Sequence, residues 1–564
     1  METAHREIHP ANTMNAPKLW SLQGKAILVV DDFPGMRSMM RGMLSAYGAD
    51  DITDTANGEE AIKCMRDKSF DIVLCDYNLG EGQDGQQVLE EAKEDDLLPY
   101  SSIFIMTTAE NSMEMVMGAA EYQPDDYLSK PFTKQVLQTR LKRLLARKSS
   151  LRKIASAMQR KDYSHALSLC EKQLALQPGN RFELLKLKGE LSIKAQRYDA
   201  AAAAFAEVMA ERELPWAKLG YGETLYHRER YEEAKTTFKE LIRSHPNYVF
   251  AHDWLARVYE KLDQLDMAQE VLTEATEKSP KAVLRQRALA EISRQNEDLD
   301  TAEEAYRRVM RLGKNSCYKS PADYASLSRV YLQKGNNVEA VKTLASMKKE
   351  FRRGKSANRL HALILEITLY REMAREDEAR KGIAEAMKLF RDNPAGLTTP
   401  LAMELANACY GLGLKEEGDE IVRHIVRNNH ENQDILDGVQ AMMEGCGIGD
   451  AAADLIAATR DEVIALNNRG VELATNGALQ DSIKLFAQAA EGMPENLVIN
   501  LNAAQSLIMF MQRYGAVPEF LEQTQGYLLR AQALGKPSQK QDKLQTAYRK
   551  LVTSLAKGAG RKQP

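Results

Sequence analysis

The sequence predicts two architectures in one chain: an α/β domain with a doubly wound, parallel five-stranded sheet, then an all-α array of stacked helical hairpins. Three observations predict this. Short apolar runs alternate with helical periodicities until about residue 148. Beyond that point the strand pattern stops, and small residues recur in steps of 34. A chain of 564 residues is also too long for a single hydrophobic core.

Residues 1–24 lack the apolar core of a signal peptide and read as a flexible arm, with Trp20 and Leu22 packing on the α/β domain. That domain is expected over 25–148. Ala26–Val30 is its first strand, and Asp31-Asp32 follow directly. Arg37–Leu44 carries helical periodicity with Met36, Met39, Met40 and Met43 mostly on one face, a packing face. Ile52–Ala56 reads as a strand and Glu59–Met65 as a helix. The run from Phe70 to Asp76 reads as a buried parallel strand, in which Cys75 serves as a small hydrophobe. Ser102–Met106 is a strand ending in Thr107-Thr108-Ala109, and Met113–Ala120 is helical. Asp126–Ser129 is a short fifth strand closed by Lys130-Pro131-Phe132. Thr133 then caps a helix that runs to about Lys148.

Asp31, Asp32 and Asp76 all stand at carboxyl ends of strands, where open α/β sheets place their ligand sites. Three converging carboxylates repel unless a cation joins them. Carboxylates with a carbonyl and waters suit Mg²⁺, a hard ion that bridges readily to phosphate. Lys130 and Thr108 end neighbouring strands, and their ammonium and hydroxyl can hold the oxygens of a phosphoryl group carried on Asp76.

In this order and spacing, the residues resemble the receiver domain of bacterial two-component response regulators. Asp31-Asp32, Asp76, Thr108-Ala109 and Lys130-Pro131-Phe132 stand in family order, with 44, 32 and 22 residues separating Asp32, Asp76, Thr108 and Lys130. The resemblance implies a flavodoxin-like fold and phosphorylation of Asp76 by a histidine kinase or phosphotransfer protein. It implies Mg²⁺ bound by Asp32, Asp76 and the Asn78 carbonyl, with Asp31 acting largely through water. It also implies a switch pair, Thr108 and Tyr127, and a cis Lys130–Pro131 bond. The chain departs from the family at Gly80, where Pro is usual, and in a Gly-rich loop, Gly80–Gly85.

From 149 to 535 the chain is helical. Ala166, Ala200, Ala234, Ala268 and Ala302 keep a 34-residue step, as do Pro246 and Pro280. Tyr231–Phe238 followed by Pro246 repeats as Tyr198–Phe205. Gly470, Gly477, Phe486, Ala489 and Pro494 show the unit again near the end. This resembles tetratricopeptide repeats, about nine or ten hairpins, with the match fading between 355 and 460. Small residues such as Gly222, Ala234, Ala256 and Ala268 let paired helices approach closely. The resemblance implies a protein partner, unidentified, in the repeat groove. Groove positions come mostly from first helices, such as Lys218, His252 and Arg285, whose charges a solvated face explains equally well. Residues 536–564 read as a capping helix, around Lys540–Leu555, and a tail.

Composition excludes several other classes. Residues 1–148 hold 16 basic against 24 acidic side chains, and the remainder 60 against 56, so neither part has a nucleic-acid footprint. No run approaches a membrane span. Six scattered Cys without CxxC spacing suit a reducing cytoplasm. No HExxH, GxSxG or GxxxxGK[ST] occurs, so the chain reads as no enzyme beyond autodephosphorylation. The expected function is a phosphorylation-controlled regulator with a protein-binding output. A constitutive scaffold and a phosphate sink stay open as alternatives, as does a homodimer.

Overall fold

The computed structural model describes residues 20–109, 124–176, 178–352, 356–534 and 538–559. The helix expected at Met113–Ala120 and most of the N-terminal arm lie outside the described residues. Two compact units emerge. One takes the described residues of Met1–Gln159, Tyr163–Ala282 and Leu312–Tyr318; the other takes those of Arg160–Asp162, Val283–Arg311 and Lys319–Pro564.

The first unit opens on a five-stranded parallel sheet, β1 Ala26–Val30, β2 Asp51–Thr55, β3 Ile72–Asp76, β4 Ile103–Thr108 and β5 Asp126–Ser129, in the order β2-β1-β3-β4-β5. Alternation along the central strands supplies two cores. Leu28, Val30, Val73, Cys75, Phe104 and Met106 pack on one face with helices α2 (Gly58–Asp67) and α3 (Gly85–Glu94). Ile27, Val29, Ile72, Leu74, Ile103 and Ile105 pack on the other with α1 (Pro34–Ser45) and α4 (Lys134–Ser150). Central strands buried on both faces read as continuous apolar runs, which is how the sequence shows them.

Helix α1 begins three residues before its periodicity, because Pro34 fits the first turn, where its missing N–H costs nothing. Met40 is fully buried there and Met36 and Met43 partly so, a packing face as expected, with Met39 the exposed exception. Thr133 caps α4 by accepting from the Val136 N–H at 3.3 Å. Leu22 is fully buried, and Trp20 meets Tyr47 edge-on. The sequence reading leaves α3 unnamed. Its start is fixed by a capping box in which Asp84 accepts from the Gln87 N–H and Gln87 accepts from the Asp84 N–H.

Helical hairpins follow in the same unit. Gly189 and Gly220 both abut the ring of buried Phe205, and Gly222 abuts Phe238; a Cβ on any of them would lie within 2.5 Å of a ring carbon. The aromatic rings thus take the space that the small residues leave.

The second unit repeats the device, with Gly470 against Phe486. The spacing of its hairpins differs. Turn residues with positive φ stand at Gln196, Glu229, Asp263 and Glu297, and then at Gly335, Ala374 and Gly413. The later steps exceed 34, the first because eight residues join Leu312 to Pro321 and the next two because helices lengthen: Ser356–Glu372 and Glu376–Asp392 have 17 residues each, against 13 and 14 in the pair Val249–Lys261 and Leu265–Lys278. The last helix, Gln539–Ala559, buries Leu544, Tyr548 and Leu551 against its neighbours. No helix among the described residues is long and apolar enough to cross a membrane.

Candidate functional site

Four parallel strands deliver the candidate residues to one edge of the sheet. Asp31 follows β1, Asp76 ends β3, Thr108 ends β4 and Lys130 follows β5. Since β1, β3, β4 and β5 are consecutive neighbours, their carboxyl ends converge. Carboxylate oxygens of Asp31, Asp32 and Asp76 lie within 4.8 Å of one another. Asp31 is fully buried and Asp76 is 8 % exposed, whereas Asp32 faces solvent.

The Lys130 ammonium bridges the two buried acids, 2.7 Å from Asp31 Oδ2 and 2.8 Å from Asp76 Oδ2. Asp31 Oδ1 also accepts from the Phe33 N–H at 3.0 Å. Burial pushes the Asp76 carboxyl above its ordinary range, and Asp31 adds to this, while Lys130 pulls it back. Burial alone would lower the Lys130 pKa, yet its two carboxylate partners outweigh burial and hold it up. One ammonium among three carboxylates leaves an excess of negative charge on hard oxygen donors. That donor set fits a hydrated divalent cation such as Mg²⁺.

Asn78 is exposed, and its side-chain oxygen accepts from the Gly80 N–H at 3.2 Å, so a ligand from this residue would be its main-chain carbonyl. Gly80 and Gly82 take φ of 75° and 103°, conformations open to glycine, and a Cβ on Gly85 would lie 2.0 Å from the Asp76 carbonyl oxygen. Thr108 is half-buried, and its carbonyl accepts from the Lys130 N–H at 2.7 Å. Tyr127 is half-buried at the edge of the α2/α3 core, its phenol pushed up by burial and by nearby Tyr77. The Lys130–Pro131 bond is cis.

The site therefore gathers Asp31, Asp32, Asp76 and Lys130 at one point, with Thr108 and Tyr127 on the adjoining strands. Sequence reasoning passed over Tyr77, whose hydroxyl accepts from Lys281 Nζ at 3.3 Å and whose ring lies 5.5 Å from that ammonium. Among the charged positions expected at the repeat groove, His252 is fully buried beside Lys278, and Arg285 is 4 % exposed. Lys218 pairs with Glu240 at 2.7 Å across its own hairpin.

The response regulator receiver domain matches residues 27–142, and tetratricopeptide repeat models match 192–252 and 255–316. The chemotaxis protein CheY of Pseudomonas aeruginosa is 30 % identical over 121 residues, covering 22 % of this chain and 96 % of that relative. The chain belongs to the response-regulator receiver family. CheY-3 of Vibrio cholerae is 31 % identical, with 22 % of this chain and 92 % of the relative covered. Among solved structures, MamA from Desulfovibrio magneticus RS-1 is 18 % identical, covering 31 % of this chain and 98 % of its own, at a TM-score of 0.28. The chain is thus a receiver domain followed by tetratricopeptide repeats, an architecture of two-component signalling regulators and of protein–protein interaction.

Proposed function

We propose that this cytoplasmic response regulator accepts a phosphoryl group on Asp76 from a histidine kinase or phosphotransfer protein, and that its repeats bind a protein partner as output. The observation that carries this reading is the Lys130 ammonium held between Asp31 and Asp76, with Asp32 beside them. In transfer, a carboxylate oxygen of Asp76 attacks phosphorus as the P–N bond to the donor imidazole breaks. The imidazole keeps the bonding pair and leaves neutral, its other nitrogen having taken a proton.

Such transfer depends on positioning and charge neutralisation more than on covalent chemistry by the protein. Lys130 is placed to follow an oxygen of the incoming group while keeping Asp31. The Thr108 hydroxyl takes another oxygen, and Tyr127 turns inward as Thr108 moves. Asp31, Asp32, Asp76 and the Asn78 carbonyl would hold Mg²⁺, which supplies positive charge to the phosphoryl oxygens. The architecture supports a regulator whose chemistry ends with the acyl phosphate and its hydrolysis.

Incubation with acetyl phosphate and Mg²⁺, followed by intact-mass analysis, tests the reading. The expected result is one added phosphoryl group, lost in Asp76→Asn and reduced roughly hundredfold in rate by Lys130→Ala, the scale set by loss of one charge-stabilising group. Unchanged labelling of Asp76→Asn would overturn it.

A further inference from the structure

Helix α3 is apolar on one face and polar on the other, yet it is buried on both. Val88, Leu89 and Ala92 sit in the sheet core, as an amphipathic helix should. On the polar side, Gln86 is 5 % exposed and Glu90 4 %, and Gln83 in the preceding loop is 6 % exposed. The cover comes from the repeats of the same unit. Asn315 Nδ2 donates to the Gly82 carbonyl at 2.8 Å, and Gln83 Nε2 donates to the Asn315 carbonyl at 3.1 Å. Gln87 Nε2 donates to the Leu312 carbonyl at 3.3 Å, and Ser316 Oγ donates to Glu90 Oε2 at 3.4 Å. Lys281 reaches Tyr77, the residue next to the acceptor.

The residues that grip α3 lie where the repeat period breaks. Four residues join Ser244 to Val249 and four join Lys278 to Val283, but eight join Leu312 to Pro321. The longer connection contains a short 3₁₀ turn, Gly313–Asn315, and then Ser316. A regular repeat would not supply this turn.

We infer that the strip formed by Lys281 and Leu312–Ser316 is an interaction surface for an acidic, amide-bearing helix, that α3 is its built-in occupant, and that phosphorylation of Asp76 releases α3. The inference rests on the phosphoacceptor reading above. Asp76 is only 8 % exposed, so a phosphoryl group there needs room. The chain from Tyr77 to Asp84 borders the pocket: Gly80 runs beside Asp32, and Gly85 abuts the Asp76 carbonyl. This loop yields, since Gly80 and Gly82 give it conformational freedom, and its movement carries the Gly82 carbonyl and Gln83 away from Asn315. Gln87 belongs both to the α3 capping box and to the contact with Leu312, so a shift of the helix start disturbs both.

The clasp is poised to open because part of it is costly. Among the described residues, Gln86 Oε1 is buried without a hydrogen-bond partner, and the Glu90 carboxylate, which accepts from Ser316 and Gln86 among its contacts, is 4 % exposed. Opening returns both to water. A partner that then takes the strip presents what α3 presents: a helix with carboxamides near its start and acids one turn on.

Hydrogen exchange on the full chain with Mg²⁺, with and without beryllofluoride, tests this, while intact mass after acetyl phosphate reports the acceptor chemistry separately. Exchange at amides of 313–318 and 86–94 is expected to quicken about tenfold with beryllofluoride, and not in Asp76→Asn. In Asn315→Ala those amides exchange fast from the outset, beryllofluoride adds little, and acetyl phosphate still labels Asp76. If Asp76 is labelled but protection of 313–318 stays constant or rises, the clasp inference fails and the phosphoacceptor reading stands. If no label appears on Asp76, that reading falls and the inference with it.

Discussion

Two polar clusters in the first unit are withdrawn from water by opposite means. At the sheet edge, full charges of both signs are held in place by strand ends. Along α3, neutral amides meet main-chain carbonyls across a helix face, and the Ser316 hydroxyl meets the Glu90 carboxylate. Charged groups within hydrogen-bond reach in a dry site are expensive to disturb singly, since each loss leaves an uncompensated charge. Neutral hydrogen bonds exchange with water at a net of about 1 kcal/mol each. The difference teaches where a switch can be built: the charged pocket holds the chemistry rigidly, and the clasp, held mostly by neutral hydrogen bonds, yields to it.

The comparison breaks most severely at Lys130. Lys130→Met strands the buried acids Asp31 and Asp76 together and is expected to destabilise the receiver by about 3 kcal/mol in urea unfolding followed in the presence of chelator. A loss under about 1 kcal/mol would show that the pocket is wetter than its burial implies. Next in size is the cation. Mg²⁺ at about one hundred times its dissociation constant should stabilise the protein by about 2.7 kcal/mol. Melting measured with and without chelator checks this, and Asp32→Ala should lose the gain while Asn315→Ala keeps it. At the clasp, Asn315→Ala removes the side-chain donor to the Gly82 carbonyl but keeps the main-chain carbonyl that accepts from Gln83. It should cost about 1–2 kcal/mol, read as faster local exchange rather than an earlier global transition.

The charged pocket was legible in the sequence, and the clasp was not, for the same physical reason. Aspartates at strand ends and a Lys-Pro turn are tied to local elements, so their separations along the chain persist as separations between strands. The clasp joins Gln83 and Gln87 to Asn315 and Leu312, amides and carbonyls that any solvated helix or turn could carry. Its one trace was the eight-residue connection after Leu312 where four had served before. The same kind of slippage explains why the repeat match fades beyond 355: helices longer by about one turn throw a 34-residue template out of register while their packing persists. His252 shows the complementary error, since periodicity puts it on a first helix but cannot tell a groove-facing side chain from one enclosed beside Lys278.

The smallest expected effect is also the sharpest test of charge in the pocket. Burial raises the pKa of Asp76 in the folded protein above its ordinary value. Between those two values the native state retains a proton that the unfolded chain has released, so stability attributable to this group falls as pH rises through the window. Below the ordinary carboxylate pKa, Asp76 is protonated in both states and the group contributes nothing to the pH slope. Asp76→Asn removes the titration. Without divalent cations, the variant should therefore gain on the parent as pH rises through that window, and keep the advantage at neutral pH. Urea titrations at a series of pH values would resolve the divergence. Curves that stay parallel would mean that Lys130 fully offsets the burial of Asp76, and a parent that gains with pH would mean that the ion pair outweighs it.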